Sequence, residues 1–253
     1  MQSVSPMMFD LQPKAAHPKR VVRTAYTDER ELLNDILWLY NGGDGVDLDP
    51  CYSIGRFWQG LPQPKFKFDL RPQLAEVGRA SSDNLPIENE SINSVMFDPP
   101  FLVLPDGYKA AMVERFTSYQ TLDELQSHYT NSLKEFYRIM VDGGLLLFKC
   151  QDLIFNHKAF MTHVFIINQA ESIGFFCHDV IILVRDNVLL SGKVRNQEHA
   201  RKTHSYYVVL SKGRSNPCVQ RTATPRASRL VLFPMANCHR RRVAQPAAAS
   251  ADR

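Results

Sequence analysis

Asp98-Pro99-Pro100-Phe101 puts a carboxylate, two stiff backbone carbonyls and an aromatic ring on four consecutive positions. The apolar run Ser94-Val95-Met96-Phe97 precedes it, so the tetrapeptide is expected where a buried strand ends and a loop begins. In open α/β sheets the carboxyl ends of strands are where ligands bind. Proline fixes φ and removes a backbone donor, so Pro99 and Pro100 leave the loop's carbonyls exposed as acceptors. Asp98 adds a charged acceptor and Phe101 a flat apolar face. Two acceptors beside an aromatic plate suit a planar ring that bears an exocyclic NH2 group. They can hold both amino hydrogens and leave the nitrogen lone pair aimed at an electrophile while the ring stacks. The plainer readings are an ordinary turn for the tetrapeptide and a core position for Phe101.

The elements that must position this loop follow from periodicity. Asp28 to Tyr40 carries Leu32, Leu33, Ile36, Leu37, Leu39 and Tyr40 at helical spacing, with Thr27 expected as its cap and Asn41-Gly42-Gly43-Asp44-Gly45 as its stop. Val46 to Asp49 reads as a short strand. Phe66 and Phe68 alternate with lysines in a strand that ends on Asp69. Gln73 to Val77 is expected as a short helix and Ser94 to Phe97 as the strand that delivers Asp98. The strongest helix runs from about Leu122 to Met140, with Thr121 and Glu124 in a capping-box arrangement and Asp142-Gly143-Gly144 as its stop. On this helix Glu135 and Arg138 read as a solvated pair. Leu145 to Lys149 is a continuous apolar strand of the kind found inside parallel sheets. A helix over about Lys158 to Ser172, stopped by Gly174, precedes two last strands, Val180 to Val184 and Ser205 to Leu210. Strands and helices alternate through the middle, which predicts a Rossmann-like α/β fold, a mainly parallel sheet with a closing antiparallel strand pair.

Composition fixes the frame. With 253 residues, 44% hydrophobic and 22% charged, the chain can bury one substantial core. No apolar run approaches the roughly 20 residues that span a bilayer, and no basic-then-apolar leader opens the sequence, so a cytoplasmic location without membrane attachment is expected. The five cysteines (51, 150, 177, 218 and 238) are scattered and form no metal-ligand spacing; free thiols and no metal are expected. The net charge of +4 is unevenly spread: residues 214–253 hold eight arginines against one acid, Asp252, leaving the first 213 residues at about −3. Three regions follow: a flexible N-terminal arm (1–20), one globular domain (21–213), and a basic tail (214–253) without periodicity that is expected to be disordered.

Asp98-Pro99-Pro100-Phe101 resembles the (Asp/Asn/Ser)-Pro-Pro-(Tyr/Phe/Trp) motif of class I amino-methyltransferases that use S-adenosylmethionine, such as the DNA N6-adenine and N4-cytosine enzymes. The resemblance extends over residues 21–212 in the order of the family's unpermuted branch. Val46-Asp47-Leu48-Asp49-Pro50-Cys51-Tyr52-Ser53-Ile54-Gly55 is similar to the cofactor loop, often Asp-Pro-Phe-x-Gly-Ser-Gly in relatives. Asp69, 20 positions past Asp49, matches the acid that holds the cofactor ribose, as in dinucleotide folds. Ser82-Asp83-Asn84-Leu85-Pro86 resembles the adenine-contacting segment, with Ser81 or Asp83 the residue that would hold the adenine amine. The resemblance implies cofactor contacts at Asp49, Pro50, Tyr52, Ser53, Gly55, Asp69, Asp83 and Asn84. It implies reaction at Asp98, Pro99, Pro100 and Phe101. Two departures stand out: the loop has one glycine where relatives have two or three, and few residues separate Gly55 from the next strand, short for a crossover helix.

The implied activity is methyl transfer to an exocyclic amine, most simply adenine N6 or cytosine N4 in DNA. RNA, a protein glutamine, or a non-catalytic nucleotide-binding role stay open on sequence. Lys193, Arg195, His199, Arg201, Lys202 and His204 crowd the polar connection between the last two strands. They could meet phosphates, which position a nucleic acid without reading it, or form a solvated loop. A paired base must leave the stack to be modified, and Phe101 would receive it, with Tyr108 and Phe116 as further candidates or as core cover.

Overall fold

A computed structural model describes residues 20–104, 118–185 and 197–213. Its centre is an eight-stranded sheet. In chain order the strands are β1 (Ala25–Tyr26), β2 (Leu48–Asp49), β3 (Phe66–Asp69), β4 (Gly78–Arg79), β5 (Ile92–Phe97), β6 (Met140–Cys150), β9 (Phe175–Val184) and β10 (His204–Lys212), with a separate hairpin of β7 (Leu153–Phe155) and β8 (Lys158–Phe160). The sheet order is β1-β9-β10-β6-β5-β2-β3-β4. All neighbours are parallel except β10, which runs antiparallel to both β9 and β6. The expected closing antiparallel pair is β9 and β10, with β10 the reversed strand inserted between β9 and β6. From β2 the chain winds outward through β3 and β4, then returns to place β5 on the other side of β2. That reversal opens a crevice between the loops after β2 and β5, where doubly wound sheets bind ligands.

The sheet is covered on both faces, and the alternation of side chains assigns each residue its side. On one face Val95, Phe97, Leu146 and Phe148 pack under α2 (Leu122–Ile139) and α3 (Thr162–Ile173). On the other Met96, Leu145, Leu147, Tyr207 and Val209 pack under α1 (Glu29–Asn41) through Leu32, Leu33 and Ile36. A strand buried on both faces must be apolar throughout, as Leu145 to Phe148 are.

Several local expectations change. Asp28, not Thr27, caps α1: its carboxylate accepts from the backbone of Arg30 at 2.9 Å and Glu31 at 2.8 Å, and an acid also suits the positive end of the helix. Residues 73–77 form turns rather than a helix, since five residues after Pro72 cannot offset the cost of helix nucleation. The helix expected to stop at Asp142-Gly143-Gly144 ends at Ile139, because Glu90 and Ser91 donate to the carbonyls of Arg138 and Ile139. Those three residues instead lie within β6 at a register irregularity against β5. Gly144 is required there, as a Cβ would stand 2.9 Å from the Val141 carbonyl and 3.1 Å from that of Asn93. Residues 158–160 are strand rather than helix. Asn156 and His157 both take positive φ (49° and 58°), the backbone of a tight two-residue hairpin turn, and α3 starts only at Thr162.

Glu135 and Arg138 are not a solvated pair. Glu135 is 9% exposed and accepts from the Leu85 backbone at 2.7 Å, while Arg138 donates to the carbonyls of Ile87 and Leu85. Together they clamp the 85–87 loop to α2. Of the expected arm, only Arg20 is described; its guanidinium pairs with Asp35. The expected tail lies outside the described residues. Among the described residues no helix is long and apolar enough to cross a membrane.

Candidate active site

The crevice holds a cavity of about 680 Å³ at the carboxyl ends of β2, β3, β5 and β6, within the range of small-molecule sites. Its walls include Pro50, Tyr52, Ser53, Asp69, Asp98, Pro99, Pro100 and Phe101, so both motifs named from sequence meet in one space. Asp49, Gly55, Asp83 and Asn84 do not line it.

Asp49 stands one layer below. It is 4% exposed, and its two carboxylate oxygens accept from the Cys51 backbone at 2.8 Å and the Trp58 indole at 2.6 Å. Burial, with Asp98 and Asp69 nearby adding to it against these two donors, pushes its carboxyl up to about 7. Asp49 thus shapes the loop from beneath. Gly55 ends that loop at φ 71°, where a Cβ would fall 2.5 Å from the Tyr52 hydroxyl. The Tyr52 ring therefore fills space that a second glycine would leave open. Instead of a crossover helix, the short link to β3 contains only one 3-10 turn, Arg56–Trp58.

Asp69 ends β3 with one oxygen bonded to the Ser53 backbone at 2.9 Å and the other to the Arg71 backbone at 2.7 Å. Each carboxylate oxygen has a further lone pair, and the group lines the cavity, so it can still accept from a ligand hydroxyl. Ser53 at φ 53° turns the loop toward it.

The Asp98 loop is fixed from behind. Tyr129, fully buried on α2, donates to the Pro100 carbonyl at 2.8 Å. The Pro99 carbonyl accepts nothing from the described residues. Asp98 Oδ2 receives the Lys149 ammonium at 2.9 Å, and Oδ1 has no partner among the described residues. Lys149 also meets Glu29 Oε1 at 2.8 Å, and Glu29 in turn accepts from Tyr207 at 2.6 Å and Arg185 at 2.8 Å. Burial pulls the Lys149 ammonium down, but Asp98 and Glu29 more than offset it and hold it above the ordinary lysine value. Burial likewise pushes Glu29 up, and Lys149, Tyr207 and Arg185 together bring it below the usual carboxylate range.

Ser81 and Ser82, rather than Asp83 and Asn84, face the cavity beside His128 and Tyr119. His128 is held between Ser82 Oγ at 2.9 Å and the Tyr119 hydroxyl at 2.6 Å, and burial lowers its pKa, favouring the neutral ring. Sequence reasoning missed Lys149, Glu29, His128 and Tyr119. Lys149 alone carried a signal: a lysine ending the most apolar strand in the chain.

Of the basic residues between the last strands, His199, Arg201, Lys202 and His204 are described. Gln151, just past β6, donates to the carbonyls of Lys202 at 3.4 Å and His204 at 2.9 Å, which ties this segment to the end of β6. The His204 ring contacts the Tyr206 hydroxyl at 2.8 Å. Lys193, Arg195, Tyr108 and Phe116 lie outside the described residues.

A family model described as DNA methylase matches residues 92–242. No curated protein matches the chain. Among solved structures, the chain is similar to TTHA0409 of Thermus thermophilus, a candidate DNA modification methylase complexed with S-adenosyl-L-methionine. The identity is 17% over 51% of this chain and 50% of that one, with a TM-score of 0.37. It is also similar to BH2331 of Bacillus halodurans, a candidate methyltransferase, at 13% identity over 75% of this chain and 100% of that one, TM-score 0.43. TrmN of Thermus thermophilus shares 16% identity over 72% of this chain and 48% of its own, TM-score 0.42. The chain spans about half the length of the TTHA0409 protein.

Proposed function

The chain belongs to the DNA methylase family, and from that premise we propose that it methylates an exocyclic amino group of a DNA base, adenine N6 or cytosine N4, with S-adenosylmethionine as donor. One observation carries the reading: the Asp98 loop and the 50–53 loop with Asp69 open into the same cavity.

The residues present fit the donor. Asp69 offers carboxylate lone pairs to ribose hydroxyls, Ser81 and Ser82 offer polar atoms at the adenine end, and the 50–53 loop closes the methionine end. The matched family segment begins at residue 92, so these cofactor contacts rest on the geometry alone. Bound there, the donor supplies a methyl group on a sulfonium: the amine nitrogen forms the N–C bond as the S–C bond breaks and its electron pair stays on sulfur. Asp98 Oδ1 and the Pro99 carbonyl accept the two amino hydrogens, which leaves the nitrogen lone pair pointing away from both. Phe101 stacks on the flipped base. Positive charge grows on nitrogen during transfer, and the Asp98 carboxylate is placed to stabilise it. One amino proton then leaves to solvent. Holding the amine in line supplies the remaining advantage.

Arg201, Lys202 and His204, tied to the end of β6 through Gln151, supply phosphate contacts, with Lys193 and Arg195 in the same connection. The test is incubation with radiolabelled S-adenosylmethionine and unmethylated DNA, followed by nucleoside analysis. Label in N6-methyladenine or N4-methylcytosine supports the reading. Calorimetry that detects no binding at millimolar donor removes it.

A further inference from the structure

Lys149 is a costly residue in its place. It is 7% exposed at the end of β6, between Phe148 and Cys150, both at 0%. Stability does not call for a lysine there, because replacing a buried ion pair by well-packed apolar side chains is often neutral or stabilising. Its ammonium lies between two carboxylates, Asp98 at 2.9 Å and Glu29 at 2.8 Å, and over the ring faces of Phe57 at 5.2 Å and Tyr207 at 5.8 Å. Glu29 is itself fixed by Tyr207 and Arg185. The chain of contacts therefore runs from α1 and the last two strands of the sheet to a single oxygen of Asp98.

We propose that Lys149, braced by Glu29, is a positioning residue that holds Asp98 Oδ2 so that Oδ1 alone faces the acceptor amine. The inference rests on the methyltransferase reading above. A carboxylate on a free Cβ–Cγ bond turns readily and presents either oxygen. Tying Oδ2 to a buried cation sets that torsion before the base arrives. Lys149 acts through Asp98, since its own contacts are taken up by the two carboxylates and the two rings. Glu29 completes the arrangement by balancing charge: Asp98 and Glu29 stand against Lys149 and Arg185, so the mount carries no net charge. Sequence places Glu29 and Asp98 69 positions apart, and only the fold joins them.

The experiment compares wild type, Lys149→Met, Lys149→Arg and Glu29→Gln by steady-state methyl transfer to DNA, calorimetric binding of S-adenosylmethionine, and thermal melting. Misplacing a reacting group by about 1 Å costs on the order of 100-fold, so Lys149→Met is expected to lose about that much in kcat. Its donor Kd should stay within about threefold, because the donor meets other residues. Lys149→Arg, which keeps the cation, should recover at least about tenfold of that loss, and Glu29→Gln should lose about tenfold in kcat, both being smaller displacements of the same carboxylate. A Lys149→Met protein with wild-type kcat overturns the proposal, as does one in which kcat falls only because donor binding is lost. Should the methionine variant fail to fold, Glu29→Gln and Lys149→Arg decide: wild-type kcat in the first, or no activity in a folded and donor-binding form of the second, overturns it. An active wild type with unaffected variants sinks this inference alone. A wild type that neither binds donor nor transfers methyl sinks the methyltransferase reading as well.

Discussion

Asp98 and Asp49 end neighbouring parallel strands, yet their surroundings are opposite. Asp98 keeps 29% of its side chain exposed, sets one oxygen on a buried ammonium and leaves the other free toward the cavity. Asp49 is buried, and neutral donors, an indole and a backbone amide, occupy both its oxygens. The difference separates an acid open to the cavity from a structural one when the two sit at neighbouring strand ends. The first is compensated by charge and, among the described residues, has an oxygen without a partner facing the cavity. The second is buried with only neutral donors on its oxygens, and burial, with Asp98 and Asp69 nearby, outweighs those donors and raises its carboxyl to about 7.

The widest separation between the two sides should come from Asp98→Ala. Removing one preorganised group at a site of developing charge costs about 2.7–4 kcal/mol, so kcat should fall by two to three orders of magnitude by that scale. Donor affinity should stay within a few-fold, as calorimetry would show. Near wild-type turnover would take Asp98 out of the reaction.

Asp69→Ala should show the converse. Leaving a donor hydroxyl without its charged acceptor costs about 1–3 kcal/mol, read as a weaker donor Kd, with turnover at saturating donor close to wild type. Unchanged affinity would mean that the ribose does not meet β3.

Asp49 can be tested through pH. Its folded value of about 7 lies above the ordinary aspartate value of about 3.9, so the folded chain binds the proton more tightly than the unfolded one. The stability from that proton is fully present below about pH 4 and is lost as pH rises through about 7, at up to about 1.4 kcal/mol per unit. Asp49→Asn cannot titrate. The melting temperature of wild type should therefore fall relative to the variant between pH 5 and 8. Parallel curves would show Asp49 ionised throughout.

The smallest effect is expected from truncation after Gly213. Lys212 remains in place, bonded to the Met140 carbonyl at 3.0 Å, so we expect the melting temperature and methyl transfer to be preserved. Removing the eight tail arginines should weaken DNA binding at low salt, with the difference fading as salt rises. The family match runs on to residue 242, so loss of donor binding on truncation would move the domain boundary toward that residue.

The parts of this fold legible in sequence were those whose pattern is long and local. The helix from Leu122 has 18 residues and a cap to announce it, and β6 carries an unbroken apolar run. The Asp98 loop was legible because its four residues carry their own geometry. Short pieces escaped. β1 spans two residues in the sheet, and β4 two more, too few to establish a period. The β7–β8 hairpin was absorbed into the start of α3 because Asn156-His157 lacks the glycine that usually marks such a turn. Glu135 and Arg138 were misread because opposite charges at i and i+3 look alike on a wet face and on a buried one. Burial there depends on the Leu85–Ile87 loop, fifty positions away in sequence. The Lys149–Glu29 contact is hidden for the same reason: nothing local tells a lysine which distant carboxylate will meet it.

The reversed strand β10 has one more effect. Because it runs against β6, its first residues rise beside the end of β6, and the connection from β9 returns to the sheet there. Its two ends are pinned together, with His204 opposite Val184 and the Arg185 amide donating to the Thr203 carbonyl at 2.7 Å. The connection from Arg185 to Thr203 therefore leaves and rejoins the sheet at one fixed neck. Doubling such a loop costs only about 0.6 kcal/mol in closure entropy. That connection can change in length and content while every register in the sheet stays as it is.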